Sequence, residues 1–239
     1  MRAAGPIAIV AAMHEELAAV LQRMPDERKV TVAGRAFWQG HLHGHEVVAV
    51  LSRIGKVAAA TTATVLAERF AARGVVFTGV AGGLGPGVAV GDVVVATEFL
   101  QHDMDATPIF PRHEVPLYGR SRFPADASLL AALGRAVRVA LPATRVHQGL
   151  LVSGDRFVAS TAEARALQAE LPDALAVEME GAAFAQVCHD FELPFAAVRT
   201  ISDRADDAAH GDFVQFVNTV ASPASVAIVD ALLRDLPTH

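Results

Sequence analysis

Two spacings of apolar residues alternate along the chain. Residues 6–12 form a continuous apolar run, which predicts a strand covered on both faces. Residues 15–23 carry Leu17, Val20 and Leu21 at helical spacing. Residues 37–41 and 46–51 predict two short strands, with His43-Gly44-His45 as the hairpin turn between them. Residues 56–70 are Ala-rich and predict a helix. A buried strand is expected over 75–78, with Gly79-Val80-Ala81-Gly82-Gly83 following it as a loop, and Gly91-Asp92 turns into a strand over 93–99.

The second half repeats the alternation. Helices are expected over 126–139, 162–170, 179–191 and 212–236, and strands over 146–152, 174–177 and 195–201. Residues 102–124 break the pattern with Pro108, Pro111, Pro116 and Pro124 and little periodicity. A loop of this length inside a compact domain usually has a function of its own. No linker or internal repeat interrupts residues 1–239. The expected architecture is α/β: a single three-layer domain with a central twisted mixed sheet flanked by helices.

Composition narrows the function classes. Hydrophobic residues make up 52% and charged residues 19%, which suits a sizeable core. Aromatic residues are 6%, with one Trp and one Tyr, too few for a stacking platform for single-stranded nucleic acid. Twenty Lys and Arg face 26 Asp and Glu, so no overall basic field draws in a phosphate backbone. One cysteine excludes an intrachain disulfide framework and a Cys-rich zinc module. Residues 74–91 carry no charge, but Pro86 and repeated glycines make them a strand and a turn-rich loop instead of a membrane span. The expectation is a soluble, cytoplasmic protein that binds neither nucleic acid nor membrane.

Ligands of open α/β sheets sit beyond the carboxyl ends of the strands. Glu16 follows the first strand, Glu178 and Glu180 follow Ala174-Leu175-Ala176-Val177, and Asp203 ends the strand that contains Arg199. Three apolar strands are thus expected to deliver carboxylates to one edge, a set suited to acid–base or oxocarbenium chemistry. The Gly79–Gly83 stretch fits neither a dinucleotide nor a Walker fingerprint. His41, His43 and His45, and the cluster His102, Asp103, Asp105 and His113, lack metal-ligand spacing and read as solvated hairpin and loop residues. Cys188-His189-Asp190 cannot converge as a triad, because successive helix residues point about 100° apart.

Seven runs occur in one order: Ala11-Ala12-Met13-His14-Glu15-Glu16-Leu17, Ser52-Arg53-Ile54-Gly55-Lys56-Val57-Ala58, Thr78 to Gly83, Val90 to Val95, Ser153-Gly154-Asp155-Arg156-Phe157-Val158, Val177-Glu178-Met179-Glu180-Gly181-Ala182, and Val198 to Asp203. Together they closely resemble the 5′-methylthioadenosine/S-adenosylhomocysteine nucleosidases of the purine nucleoside phosphorylase superfamily, over about residues 6–235. The resemblance implies hydrolysis of the adenine–ribose bond of a small-molecule adenine nucleoside. It implies Glu16 as the base that activates water and Asp203 as the proton donor to N7 of adenine. Met179 and Glu180 would hold the ribose, Phe157 would stack on the base, and the Val158 backbone would read the base edge. Ile54, Ala81, Gly82, Ser202 and Phe213 would line the pocket, with Glu178 and Arg199 in support. No metal and no organic cofactor is implied. A homodimer is implied, with 102–124 at the subunit interface.

Some positions depart from the family pattern. His14 stands where Glu is common, Val80 where Ser is usual and Arg53 where Gly is usual, and the middle of the long loop reads Pro108-Ile109-Phe110-Pro111 where aromatics are common. The 5′ substituent therefore stays open: related enzymes act on aminodeoxyfutalosine, which shares the adenosine half, and the sequence does not separate the two. A phosphate-dependent phosphorylase on the same fold needs Arg and Ser donors. Val80 removes one of them and Arg53 supplies another. A non-catalytic nucleoside-binding protein is the remaining alternative.

Overall fold

A computed structural model describes residues 5–205 and 216–238. The first strand, β1 (Ile7–Ala11), is buried at every position, as its unbroken apolar run requires. Helix α1 (His14–Leu21) follows, then the meander β2 (Arg28–Val32), β3 (Arg35–Leu42) and β4 (His45–Leu51). His43 and Gly44 join β3 to β4, both at positive φ, as a tight hairpin demands. Next come α2 (Lys56–Glu68), β5 (Gly74–Gly83), β6 (Val93–Gln101), β7 (Arg122–Pro124) and α3 (Ala127–Ala140). The chain continues through β8 (Val146–Ser153), α4 (Thr161–Glu170), β9 (Ala174–Glu178), α5 (Gly181–Asp190) and β10 (Phe195–Asp203). A π-helical turn (Val217–Ala221) leads into α6 (Ser222–Asp235).

The sheet is mixed and three layers deep, as expected. One face packs under α2 and α5, with Phe77, Phe99, Phe184 and Phe195 at the centre. The other face packs under α1, α3 and α6 through Leu17, Leu133, Ile228 and Leu232. Helix α4 covers a third cluster around Leu100, Leu150 and Leu167. Among the described residues no helix is long and apolar enough to cross a membrane.

One feature of the sheet decides where the site lies. Strand β5 pairs with β1 and β10 in parallel and, at Gly82 and Gly83, with β9 antiparallel. Strands β10, β6, β8 and β9 are hydrogen-bonded in that order, so the second half of the sheet closes into a ring through β5. This corrects two expectations. Gly79–Gly83 is the end of β5, not a loop after it. Of the carboxylate-bearing strands, β1 and β10 share a carboxyl edge, both parallel to β5, but β9 runs against them. Glu178 joins Asp203 around one cavity because the ring closes.

Gly82 makes that closure sterically feasible. A Cβ there would stand 3.0 Å from Asp203 Oδ1 and 3.0 Å from Ala205 Cβ. Strand β10 shifts register between Ile201 and Asp203 at the same point.

The hairpin and loop histidines are also corrected. His45 is buried, bonding the Leu233 carbonyl at 2.8 Å and Arg73 at 2.8 Å, and His113 is buried against Glu170 at 3.1 Å. His41 pairs with Asp26, as an exposed hairpin residue can, and His43 with Asp230. Cys188 is a core residue on the inner side of α5. Of the helix expected over 212–236, residues 212–215 lie outside the described residues. α6 begins only at Ser222, with Pro223 in its first turn, where a missing N–H costs nothing.

Candidate active site

The site is assembled around a buried cation. Arg199 lies in β10 with its side chain 1% exposed, and its Nη2 donates to Glu178 Oε2 at 3.0 Å. Its Nη1 donates to the carbonyls of Phe77 at 2.9 Å and Val198 at 3.1 Å. The guanidinium also lies 4.2 Å from the Phe77 ring centre. Gly79 lies beside it: an added Cβ would meet the guanidinium in ordinary van der Waals contact at 3.7 Å.

Glu178 is bonded on all sides. It accepts from Gly181 N–H at 3.0 and 2.9 Å, from Glu180 N–H at 3.2 Å and from the Ser153 hydroxyl. Ser153 in turn accepts from Ala182 N–H at 2.8 Å. The carboxylate thus occupies the N-terminus of α5, where free N–H groups and the helix dipole favour an anion.

Glu180 stands next to it at the N-cap of α5. Its Oε1 accepts from Gly55 N–H at 2.9 Å and its Oε2 from Met179 N–H at 3.3 Å. Burial, and then the Glu178 charge, hold its carboxyl well above the usual carboxylate range. Gly55 has φ of +93°, a conformation open to glycine, and this turns its N–H toward Glu180.

Glu16 enters from α1. Its Oε2 accepts from Met13 N–H at 3.2 Å, while its buried Oε1 has no protein hydrogen-bond partner among the described residues. Burial pushes its pKa up to about 7, with the Arg199 charge opposing. Asp203, at the end of β10, accepts from Ser202 Oγ at 2.7 Å and Ala205 N–H at 2.7 Å.

These groups surround one cavity of about 260 Å³. Ile54, Ala81, Gly82, Phe157, Val158, Glu178, Met179, Glu180, Ser202 and Asp203 all line it, as the sequence leads one to expect. Arg199 lies behind the wall, in contact with Glu178. Glu16 is not itself a lining residue. It sits behind Ala12 and Met13, which are. Phe213 lies outside the described residues. Ala12, Met13, Val80, Val177 and Arg156 also line the cavity; all five stand in the motif runs, and Val80 at the position where Ser is usual, but the sequence assigned none of them a pocket role.

Phe157 and Ile54 guard the opening, 42% and 62% exposed. The Phe157 loop is pinned to the start of α2. Asp155 accepts from Lys56 N–H at 2.7 Å, and Asp103 accepts from Lys56 Nζ at 2.6 Å and Asp155 N–H at 2.9 Å. A flat aromatic face therefore meets a concave apolar wall with carboxyls set into it, an arrangement for a planar heterocycle joined to a polyhydroxylated ring.

Two measurements test this electrostatic arrangement. Replacing Arg199 by Met leaves Glu178 charged and buried without its partner, so unfolding free energy should fall by about 3–5 kcal/mol. Urea denaturation showing a loss below about 1 kcal/mol would refute the central role of the pair. Glu16 behaves in the opposite sense. Its folded pKa of about 7 exceeds the ordinary 4.5, so its contribution to stability declines as pH rises between those values. Glu16→Gln escapes this decline. Between about pH 5 and pH 8 the variant should gain roughly 2–3 kcal/mol on the parent, and a pH-independent difference would contradict it.

Comparison with known proteins gives this geometry a lineage. Residues 6–234 match the phosphorylase superfamily. The chain is 38% identical over 231 residues to the 5′-methylthioadenosine/S-adenosylhomocysteine nucleosidase of Anoxybacillus flavithermus, covering 96% of this chain and 98% of that protein. The crystal structure of the Neisseria meningitidis nucleosidase of the same name, in complex with methylthio-immucillin-A, superposes with a TM-score of 0.92 at 38% identity, over 98% of this chain and 100% of that one. The futalosine hydrolase of Helicobacter pylori is also similar, with a TM-score of 0.90 at 31% identity over 97% of this chain and 98% of that one. The chain belongs to the phosphorylase superfamily and, within it, to the 5′-methylthioadenosine/S-adenosylhomocysteine nucleosidase family.

Proposed function

We propose that the protein hydrolyses the N-glycosidic bond of 5′-methylthioadenosine and S-adenosylhomocysteine, releasing adenine and the 5-thioribose product. The observation that carries this reading is the convergence of Glu180 and Asp203 on one cavity with Phe157 at its mouth and Glu16 behind its wall. In this reading Phe157 stacks on adenine and the Val158 backbone meets its edge. Met179 and Glu180 hold the ribose.

The chemistry follows from where charge develops. A departing purine is a poor anion until a ring nitrogen is protonated, and Asp203 supplies that proton at N7. The ribose becomes cationic as the bond breaks, and that charge favours the ionised form of Glu180 beside it, so the carboxylate binds the transition state more tightly than the ground state. Glu16, with a pKa near neutrality and one oxygen unengaged by protein, takes the proton from the attacking water. Arg199 and Glu178 act as positioning residues. No metal or organic cofactor enters this scheme.

Asp203→Asn and Glu16→Gln should each lower adenine release by at least about 10²-fold with the fold intact, as measured by ultraviolet absorbance. A near-normal rate in either would remove that residue from its role. Release that strictly requires phosphate would replace hydrolysis by phosphorolysis.

The same reading includes a homodimer. The 102–124 segment carries Ile109 at 81% and Leu117 at 91% exposure, apolar surface suited to a second copy of the chain. The buried lone cysteine fits a reducing compartment, and we place the enzyme in the cytoplasm. Sedimentation should give a dimer at micromolar concentration, shifted toward monomer by Ile109→Ser with Leu117→Ser. A monomeric parent protein would overturn the assignment.

A further inference from the structure

Lys56, Asp103 and Asp155 have no part in the bond-breaking scheme, yet they form a closed ring of hydrogen bonds beside it. They come from the first turn of α2 and from just past the ends of β6 and β8. Each is bonded to the other two. Lys56 Nζ donates to Asp103 Oδ1 at 2.6 Å, Asp155 N–H donates to Asp103 Oδ2 at 2.9 Å, and Lys56 N–H donates to Asp155 Oδ1 at 2.7 Å. The Lys56 and Asp103 side chains are 17% and 32% exposed, which sets them apart from a fully wetted ion pair. Asp103 therefore departs from the solvated loop residue that the sequence suggests. Burial would raise its carboxyl, but the Lys56 ammonium and the Asp155 N–H outweigh burial and hold it below the usual range.

The ring closes over the root of the loop that carries Phe157 and Val158. Strand β8 ends at Ser153, whose carbonyl accepts from His102 N–H at 3.0 Å. The chain then passes through a narrow gap. A Cβ on Gly154 would stand 2.4 Å from His102 Nε2, so any larger residue would displace that ring. On its other side Gly154 N–H donates to the Glu178 carbonyl at 3.2 Å. Asp155 comes next, and its carboxylate serves the start of α2, where the N-cap Gly55 has no side chain to offer. A second polar anchor of the loop is the Arg156–Glu163 ion pair, whose arginine is 77% exposed. An exposed pair contributes little, so the ring is the stronger of the two anchors. Its α2 side holds Lys56, next to the Gly55 whose N–H bonds Glu180. The stacking residue and the sugar carboxyl are thus tied to one frame.

We infer that Asp103 and Lys56 are positioning residues for base binding: their ion pair, closed through Asp155, holds Phe157 at the spacing from Glu180 that an intact nucleoside requires. The inference deepens the nucleosidase reading of the cavity and rests on it. Neither Asp103 nor Lys56 lines the cavity, so their effect reaches substrate only through the Phe157 loop and the Gly55 turn. Opening the ring frees the root of the loop, and the loop must then be ordered again each time a base enters. That cost falls on binding. The surroundings of Glu16 and Asp203 stay as they are, because neither acid bonds any member of the ring.

The test measures kcat, KM and the pH profile of adenine release from 5′-methylthioadenosine, together with the Kd of adenine by calorimetry. The proteins compared are the parent, Asp103→Asn, Lys56→Met and the double variant. Each single variant should raise KM and the adenine Kd by about tenfold, with kcat within about threefold of the parent and the midpoints of the pH profile unmoved. The double variant should bind adenine no more weakly than the worse single one, since both substitutions open the same ring. Arg135→Met, which breaks the exposed Arg135–Asp235 pair, serves as the control and should change KM by less than about twofold. Asp103→Asn keeps the size of the side chain and one acceptor oxygen, so it decides the matter if Lys56→Met fails to fold. Unchanged KM and adenine Kd, additive losses in the double variant, a fall in kcat at constant KM, or an equal rise in KM in the control overturns the positioning role and leaves the hydrolase intact. A shifted pH midpoint assigns the pair to the acidity of Glu16 or Asp203 and also overturns it. Failure of the parent to release adenine defeats the nucleosidase reading instead.

Discussion

The buried Arg199–Glu178 pair is the constraint around which the site is organised. Removing a guanidinium and a carboxylate from water costs several kcal/mol per ion, and their attraction alone does not reliably repay it. Here the remaining bonding capacity is filled: two backbone carbonyls and an aromatic face serve the arginine, and two backbone N–H groups and a hydroxyl serve the glutamate. The pair can exist only because two antiparallel rungs, Gly82 to Val177 and Gly83 to Ala176, bend β9 onto β5 and bring β10 and β9 together. The fold and the electrostatics of the cavity are therefore one problem. A looser ring would leave both ions wet and the neighbouring carboxyls at ordinary acidity.

What the pair does not neutralise is as informative. One guanidinium serves Glu178 directly and Glu16 and Glu180 only at a distance, so burial dominates the two that lack it. An acid held near neutrality is a poor contributor to stability and a good proton acceptor. Evolution commonly retains such locally unfavourable groups where chemistry uses them. Glu16 illustrates the point, with one oxygen tied to Met13 N–H and the other buried without a protein partner.

The alternation of strands and helices was legible because β1 is apolar without interruption and β5 and β10 each open with an apolar run, Val75-Val76-Phe77 and Phe195-Ala196-Ala197-Val198, while α3 repeats Leu129, Leu133 and Val137 along one side. The edge strand β2 was not, since Arg28-Lys29-Val30-Thr31-Val32 faces solvent on one side of the sheet margin and has the composition of a surface loop. Gly79 to Gly83 read as a loop because glycine weakens strands. Its use at Gly82, the close approach of Asp203 and Ala205, depends on partners far along the chain. The site acids were legible as motifs, and the expected common edge holds for β1 and β10 but not for β9, which comes in from the opposite direction. Strand direction is set by pairings that no local pattern encodes. Val177 and Arg156 carried no pocket signal of their own for a simpler reason: an apolar lining residue looks like core, and an exposed arginine looks like surface.

A single turn ties these levels together. Ser52 N–H bonds the Ala11 carbonyl at 2.9 Å, carrying the sheet ladder one step past β1 and β4 and fixing where the turn begins. The next residues alternate unusual backbone states, with positive φ at Arg53 and again at Gly55. That winding points Arg53 into a second hollow that adjoins the cavity, sets Ile54 in the wall common to both spaces, and delivers the Gly55 N–H to Glu180. Helix α2 then starts at Lys56, whose side chain and N–H anchor Asp103 and Asp155 and thereby the Phe157 loop. The Gly55 contact to Glu180, the Ile54 wall and the Phe157 loop thus share one mechanical support. A change in the length of this turn would disturb all three together, whereas a change confined to the Arg53 side chain alters only the hollow that it lines with Arg35 and Trp38, since Arg53 does not line the cavity of Glu180 and Asp203.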